Sequence, residues 1–176
     1  MITPKLETDR LMLREIHPED TEAIFYCWMQ DEDVSRYMWW KASDDMNEAK
    51  GFVKFEIENL KNDRWNRWII DLKSTGEIVG TCLLFLNDDE EHWDISYNLG
   101  KKFWGKGYVT EAMNAVMKHA VEVMKIKEIS TTYAIENPAS GRVLQKLGFQ
   151  FIKEVPYECN GGDTVTTGRF CRYEAR

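Results

Sequence analysis

The sequence predicts an α/β fold: a single domain over residues 1–176, with a sheet of seven strands and about four helices. Three observations lead there. His92–Leu99 alternates as a strand does, with Trp93, Ile95, Tyr97 and Leu99 on one face and His92, Asp94, Ser96 and Asn98 on the other. Val109, Ala112, Met113, Val116, Met117, Ala120 and Met124 then form a helical stripe. Lys127–Ala134 alternates again through Ile129, Thr131 and Tyr133. Strand, helix and strand in that order imply a right-handed crossover between parallel strands.

Taken in order, Thr8–Arg14 supplies the first strand, with Leu11 and Leu13 inward. His17-Pro18-Glu19-Asp20 starts a helix that runs to about Met29, because proline and acids suit the geometry and dipole of a first turn. Asp31-Glu32-Asp33 closes it, and Ser43-Asp44-Asp45 opens a second helix to about Asn62. Between the two helices stand Tyr37, Met38, Trp39 and Trp40; tryptophans there either cap the core or wall a pocket. Trp65–Leu72 and Ile78–Leu86 are strands joined by the polar turn Ser74-Thr75-Gly76-Glu77. The second of them is nearly all apolar, as a central strand covered on both faces would be. Asn87–Glu91 is an acidic turn, which solvates a loop or steers a cationic substrate. Further on, Asn137 caps, Pro138 opens and Gly148 ends a short helix. Phe149–Tyr157 and Thr164–Tyr173 form a last antiparallel hairpin around Asn160-Gly161-Gly162-Asp163.

Composition narrows the function classes. The formal charge of −7 and pI near 5.1 argue against a general nucleic-acid binder, which would carry a basic surface. Cys27, Cys82, Cys159 and Cys171 are scattered, with no paired spacing for zinc, so no metal site is expected. Met1–Lys5 has no signal-peptide core, and no stretch has the roughly 20 apolar residues of a membrane span. The expectation is a reduced, cytoplasmic protein without a membrane partner, monomeric or homodimeric.

Gly105-Lys106-Gly107 lies where a strand becomes a helix. Two glycines there free the backbone to turn its amides toward one point, and the helix start adds unpaired N–H groups and a positive dipole end. That is a site for a phosphate or pyrophosphate, with Lys102 and Lys106 adding charge from the rim. It is not a P-loop, since no Gly-x-x-x-x-Gly-Lys-Ser/Thr run exists. Nor is it the dinucleotide fingerprint, since Thr110 stands where the third glycine or alanine belongs.

The run Lys102-Phe103-Trp104-Gly105-Lys106-Gly107 resembles the acyl-CoA loop of the GNAT family of N-acetyltransferases, Arg/Gln-x-x-Gly-x-Gly/Ala, with lysine in the first position. Trp104–Tyr108 with Thr110-Glu111-Ala112, the opening Thr-Asp-Arg-Leu-x-Leu-Arg, and Asn137, Ser140 and Lys146–Phe149 all resemble its ribosomal-protein N-terminal acetyltransferase (RimJ/RimL-like) branch. The resemblance covers residues 8–173. It implies a central mixed, mostly antiparallel sheet in which the fourth and fifth strands are the parallel pair. Acetyl-CoA is then the cofactor, held by the backbone of Tyr97–Leu99, the loop Lys102–Tyr108 (Phe103 and Trp104 included), Asn137 and Ser140. It also places the Tyr37–Trp40 segment beside the acceptor.

The implied chemistry is acyl transfer from a thioester to a primary amine, which must first lose a proton. Asp94 is the candidate base and His92, with a pKa nearer neutrality, its rival; their polar strand face lines a wet cavity or simply meets solvent. At neutral pH a lysine amine costs about 4 kcal/mol to deprotonate and a protein N-terminus about 1 kcal/mol, so a weak base favours the α-amine. Many relatives protonate the leaving thiolate with a tyrosine four residues before the Gly-Phe pair. Leu144 stands there, and the branch instead has a serine at Ser140, the candidate donor. The acceptor is thus expected to be a protein N-terminus. The alternatives are a small-molecule amine, polyamine or antibiotic, or acyl-CoA binding without catalysis.

Overall fold

The computed structural model describes residues 3–87 and 92–175. Eight strands form one sheet: β1 (Leu6–Glu7), β2 (Leu11–Arg14), β3 (Trp65–Leu72), β4 (Ile78–Asn87), β5 (His92–Leu99), β6 (Glu128–Ala134), β7 (Gln150–Cys159) and β8 (Thr164–Glu174). Their order is β1-β2-β3-β4-β5-β6-β8-β7, antiparallel except for the expected parallel pair, here β5 and β6. The expected count of seven strands is corrected to eight. The added strand, β1, has two residues and pairs Leu6 with Leu13, too short a run to show a period in sequence.

Among the described residues five helices flank the sheet: α1 (Thr21–Ile24), α2 (Glu32–Ser35), α3 (Met46–Asn59), α4 (Tyr108–Glu122) and α5 (Pro138–Lys146). The extra one is α2, where Asp31 does not close a helix but caps a new one, accepting from the Asp33 amide at 2.9 Å. The first expected helix is a 3-10 turn at Pro18–Asp20, then α1, then a π-helical turn at Phe25–Met29. Asp20 anchors its start, gripped by Arg14 at 2.8 and 2.9 Å while accepting the His17 amide at 2.7 Å. The same guanidinium reaches Asp71 at 2.6 Å, so one arginine ties β2, β3 and this helical segment together.

Two apolar layers result. On one face α4 and α5 press Ala112, Met113, Val116, Met117, Ala120 and Leu144 against Leu11, Leu13, Trp68, Ile70, Leu84, Ile95 and Leu99. On the other, Ile24, Trp28, Val34 and Val53 cover Ile69. Cys82 is fully buried in the first layer, as a small core residue. The two tryptophans divide the roles foreseen for them: Trp40 packs on the second layer, while Trp39 is 58% exposed and lines a cavity. Apart from Asn87, the acidic turn at Asn87–Glu91 lies outside the described residues.

Among the described residues the β5–β6 ladder consists of one pair, Trp93–Ile129. Past it, Thr131 Oγ1 donates to the Ile95 carbonyl at 3.2 Å. Strands joined at one end only leave a fork in the sheet, and both cavities described next open on it.

Candidate active site

The loop before α4 takes the conformation its glycines allow. Gly105 and Gly107 have φ of +73° and +79°, in the left-handed region that favours glycine, and Gly107 is the N-cap of α4. Phe103 is buried beneath the turn, and Trp104 donates its indole N–H to the Leu99 carbonyl at 2.9 Å. The Lys102 and Lys106 ammonium groups lie 4.8 and 5.6 Å from the centre of the Phe103 ring.

A brace that sequence reasoning missed holds this loop. Glu111, in the first turn of α4, accepts the Thr8 hydroxyl at 2.6 Å, the Arg10 amide at 2.9 Å and the Arg10 guanidinium at 2.6 Å. Arg10 also donates to the Lys106 carbonyl at 3.1 Å and stacks 4.6 Å above the Tyr108 ring. Burial pushes the Glu111 carboxyl up, but these donors more than offset it and leave it below the usual glutamate range. The pairing of Thr8-Asp9-Arg10 with Thr110-Glu111-Ala112 in one sequence was the available signal.

A groove of about 630 Å³ runs from this loop to α5. Tyr97, Leu99, Phe103, Trp104, Gly105, Gly107, Tyr108, Asn137 and Ser140 line it, so most of the expected cofactor residues meet in one place. Lys102 and Lys106 do not line it, and Lys102 pairs with Glu77 at 2.8 Å. The cations on the groove wall are Arg36 and Arg142, which carried no motif in the sequence, and Lys146, which opens the Lys146–Phe149 run. Loop, helix N-terminus, apolar wall and cations together suit a pyrophosphate with a long thiol-bearing arm.

A second cavity, of about 1270 Å³, lies along the other side of the fork. His92, Asp94 and Ser96 line it together with Trp39, Phe85, Tyr157 and Phe170. Three of the four polar-face residues of β5 therefore line this cavity, while Asn98 lines the groove. Asp94 accepts the adjacent Ile95 amide at 2.6 Å, and His92 stands edge-on to Phe170 with ring centres 6.0 Å apart. Burial chiefly, with the charges of Cys159 and Asp94, pushes the Tyr157 hydroxyl up to about 12. That hydroxyl donates to the Tyr37 carbonyl at 2.9 Å, the Asn160 amide to Met38 at 2.7 Å, and Lys41 pairs with Asp163. These contacts clasp the β7–β8 turn to the Tyr37–Lys41 segment across the cavity.

Groove and cavity share Tyr37, Met38, Tyr97, Asn137 and Ser140. Asn137 caps α5 by accepting the Ser140 amide at 3.3 Å, which presents Ser140 at the junction. Leu144, at the position many relatives give to a tyrosine, is buried and offers no proton.

Residues 10–150 match the family model described as Acetyltransferase (GNAT) domain. The chain is 32% identical over 148 residues to Uncharacterized N-acetyltransferase YoaA of Bacillus subtilis, covering 84% of this chain and 83% of that one. Over 56 residues it is 34% identical to the ribosomal protein uS5-alanine N-acetyltransferase of Escherichia coli, 32% of this chain and 29% of that one. In fold it is similar to the Microcin C7 self immunity acetyltransferase MccE, solved in complex with acetyl-CoA and AMP. There the TM-score is 0.84 at 19% identity, covering 96% of this chain and 94% of that one.

Proposed function

This chain belongs to the GNAT family of acetyl-CoA-dependent N-acetyltransferases, and we propose that the amine it acetylates is a protein N-terminal α-amine. The observation that carries the proposal is the acceptor cavity. At about 1270 Å³ it exceeds the ~300–1,000 Å³ of most small-molecule pockets, and it meets the cofactor groove at Ser140. A chain end can enter it and bring only its terminal amine to the fork. Similarity to the uS5-alanine enzyme supports the same acceptor. A cytoplasmic protein, monomeric or homodimeric, would meet such termini.

Acetyl-CoA supplies the acyl group as a thioester. The Gly105–Gly107 amides and the α4 N-terminus would hold its pyrophosphate, with Arg36, Arg142 and Lys146 adding positive charge along the groove. The backbone of Tyr97–Leu99, beyond the single β5–β6 pair, would hold the pantetheine arm. Asp94 takes the proton of the incoming ammonium, directly or through water, and Ser140 donates to the departing sulfur. An α-amine asks little of such a base, since its pKa of about 8 lies close to the working pH.

The test is release of CoA thiol from acetyl-CoA with a panel of peptides, polyamines and aminoglycosides. Turnover should be highest with peptides bearing free α-amines and vanish when the N-terminus is blocked. Preference for a polyamine or aminoglycoside would assign a small-molecule acceptor. Acetyl-CoA binding without turnover on any amine would leave a binding protein.

A further inference from the structure

Two hydroxyls stand where groove and cavity meet. Tyr97 Oη and Ser140 Oγ are 2.8 Å apart, and Tyr97 Oη lies 3.4 Å from the Ser140 carbonyl. Tyr97 comes from β5 and Ser140 from the first turn of α5, 43 positions later, so the pair spans the fork. The Ser140 amide is already committed to Asn137. Its hydroxyl has one hydrogen to give and oxygen lone pairs to receive with. A donor held at its oxygen leaves the hydrogen to point elsewhere. Burial holds the Tyr97 hydroxyl far above its ordinary value, so the phenol keeps its hydrogen at any working pH.

We propose that Tyr97 is a positioning residue for the departure of CoA: it donates to Ser140 Oγ and thereby aims the serine hydrogen at the leaving sulfur. The inference rests on the reading of Ser140 as the thiolate's donor. It accounts for a site that works with Leu144 where a tyrosine is usual, since a phenol from the opposite wall of the fork orients the smaller hydroxyl instead. The step balances. Before attack, Asp94 passes the ammonium proton on to water in the cavity; the C–N bond then forms as the C–S bond breaks, and the surplus proton on the acylated nitrogen leaves toward Asp94. The sulfur gains its proton from Ser140 Oγ, and water in the cavity restores it. Tyr97 keeps its proton throughout.

The test uses the full chain with Y97F, S140A, S140T and the double variant Y97F/S140A. Its first readout needs no acceptor: the thiol of bound CoA is titrated through the ultraviolet absorbance of the thiolate. A donor aimed at sulfur should lower the titration point of bound CoA by roughly one pH unit relative to S140A. Y97F should lose most of that difference, S140T should retain it, and the double variant should match S140A. In turnover, Y97F should reduce kcat by about tenfold with KM for acetyl-CoA within about twofold, and the two single losses should not multiply. A Y97F enzyme with wild-type thiol titration and kcat, or with only its KM raised, overturns the role of Tyr97. Multiplicative losses overturn it as well. If S140A itself changes neither titration nor kcat, the reading of Ser140 fails first, and the role of Tyr97 falls with it. Y97F removes one oxygen and keeps the ring; should its melting point nonetheless fall, the titration of folded, CoA-bound protein still decides.

Discussion

Asp94 lines the larger cavity and Gly107 the groove on the other side of the fork, and each admits a substitution that separates chemistry from scaffold. Asp94→Asn keeps the shape and removes the proposed proton acceptor. Turnover should fall by about 10²–10⁴ with acetyl-CoA affinity unchanged, and the loss should shrink as pH rises toward the amine's own pKa. His92→Gln should be mild by comparison. A wild-type pH–rate profile for Asp94→Asn would exclude Asp94 as base. Gly107→Val tests the loop. A Cβ there would meet only the Arg10 guanidinium, at 3.6 Å, so crowding is slight and the cost comes from φ of +79°. That strain is about 1–3 kcal/mol, or a drop in melting temperature of roughly 2–12 °C. Calorimetry should show acetyl-CoA binding weakened far more than stability, because the valine covers the path of the phosphates. Unchanged binding would place the phosphates elsewhere.

Among the elements, α4 is tied to the turn between β1 and β2 through the Arg10–Glu111 brace. Arg10→Ala should raise KM for acetyl-CoA several-fold and leave KM for the amine unchanged, since Arg10 holds the Lys106 carbonyl and no acceptor residue. The brace should also depend on pH. The folded Glu111 lies below its ordinary value of 4.5, so its contribution is complete above that value and is lost as pH falls through the folded one. In that acidic range, acetyl-CoA binding should weaken more in the wild type than in Arg10→Ala. Equal losses would show that the brace does not serve the loop. Element positions were largely legible in the sequence, with β5 matching at both ends and α4 within a residue or two. Strand alternation, helical stripes and caps at Asp45 and Asn137 are local signals, and they survive folding unchanged. β1 and α2 were not legible, because two and four residues do not complete a period.

Across the whole molecule, the second core layer encloses an ion pair that no pattern announced. Glu56 of α3 and Arg67 of β3 meet at 2.8 Å with side chains 1% and 6% exposed, and the Trp65 indole donates to Glu56 at 2.8 Å. Burial lowers the pKa of Arg67, while the Glu56 carboxylate opposes that shift. Glu56→Ala strands this cation in the interior. It should cost about 3–5 kcal/mol, a fall in melting temperature of roughly 6–20 °C, with acetyl-CoA affinity preserved in the protein that remains folded. A change within a degree or two would mean that water reaches Arg67. Periodicity and turn chemistry alone sufficed for the α/β class, the crossover that makes β5 and β6 parallel, and the glycine turn that opens α4. Each is a preference of a few neighbouring residues, written in their own side chains. The meeting of Arg10 with Glu111, of Tyr97 with Ser140 and of Glu56 with Arg67, the separate fates of Trp39 and Trp40, and the turning of Lys102 toward Glu77 were decided only by the tertiary structure. Such contacts depend on which strands adjoin and where the sheet forks, and a pair brought together across 101 positions leaves no local mark in the chain.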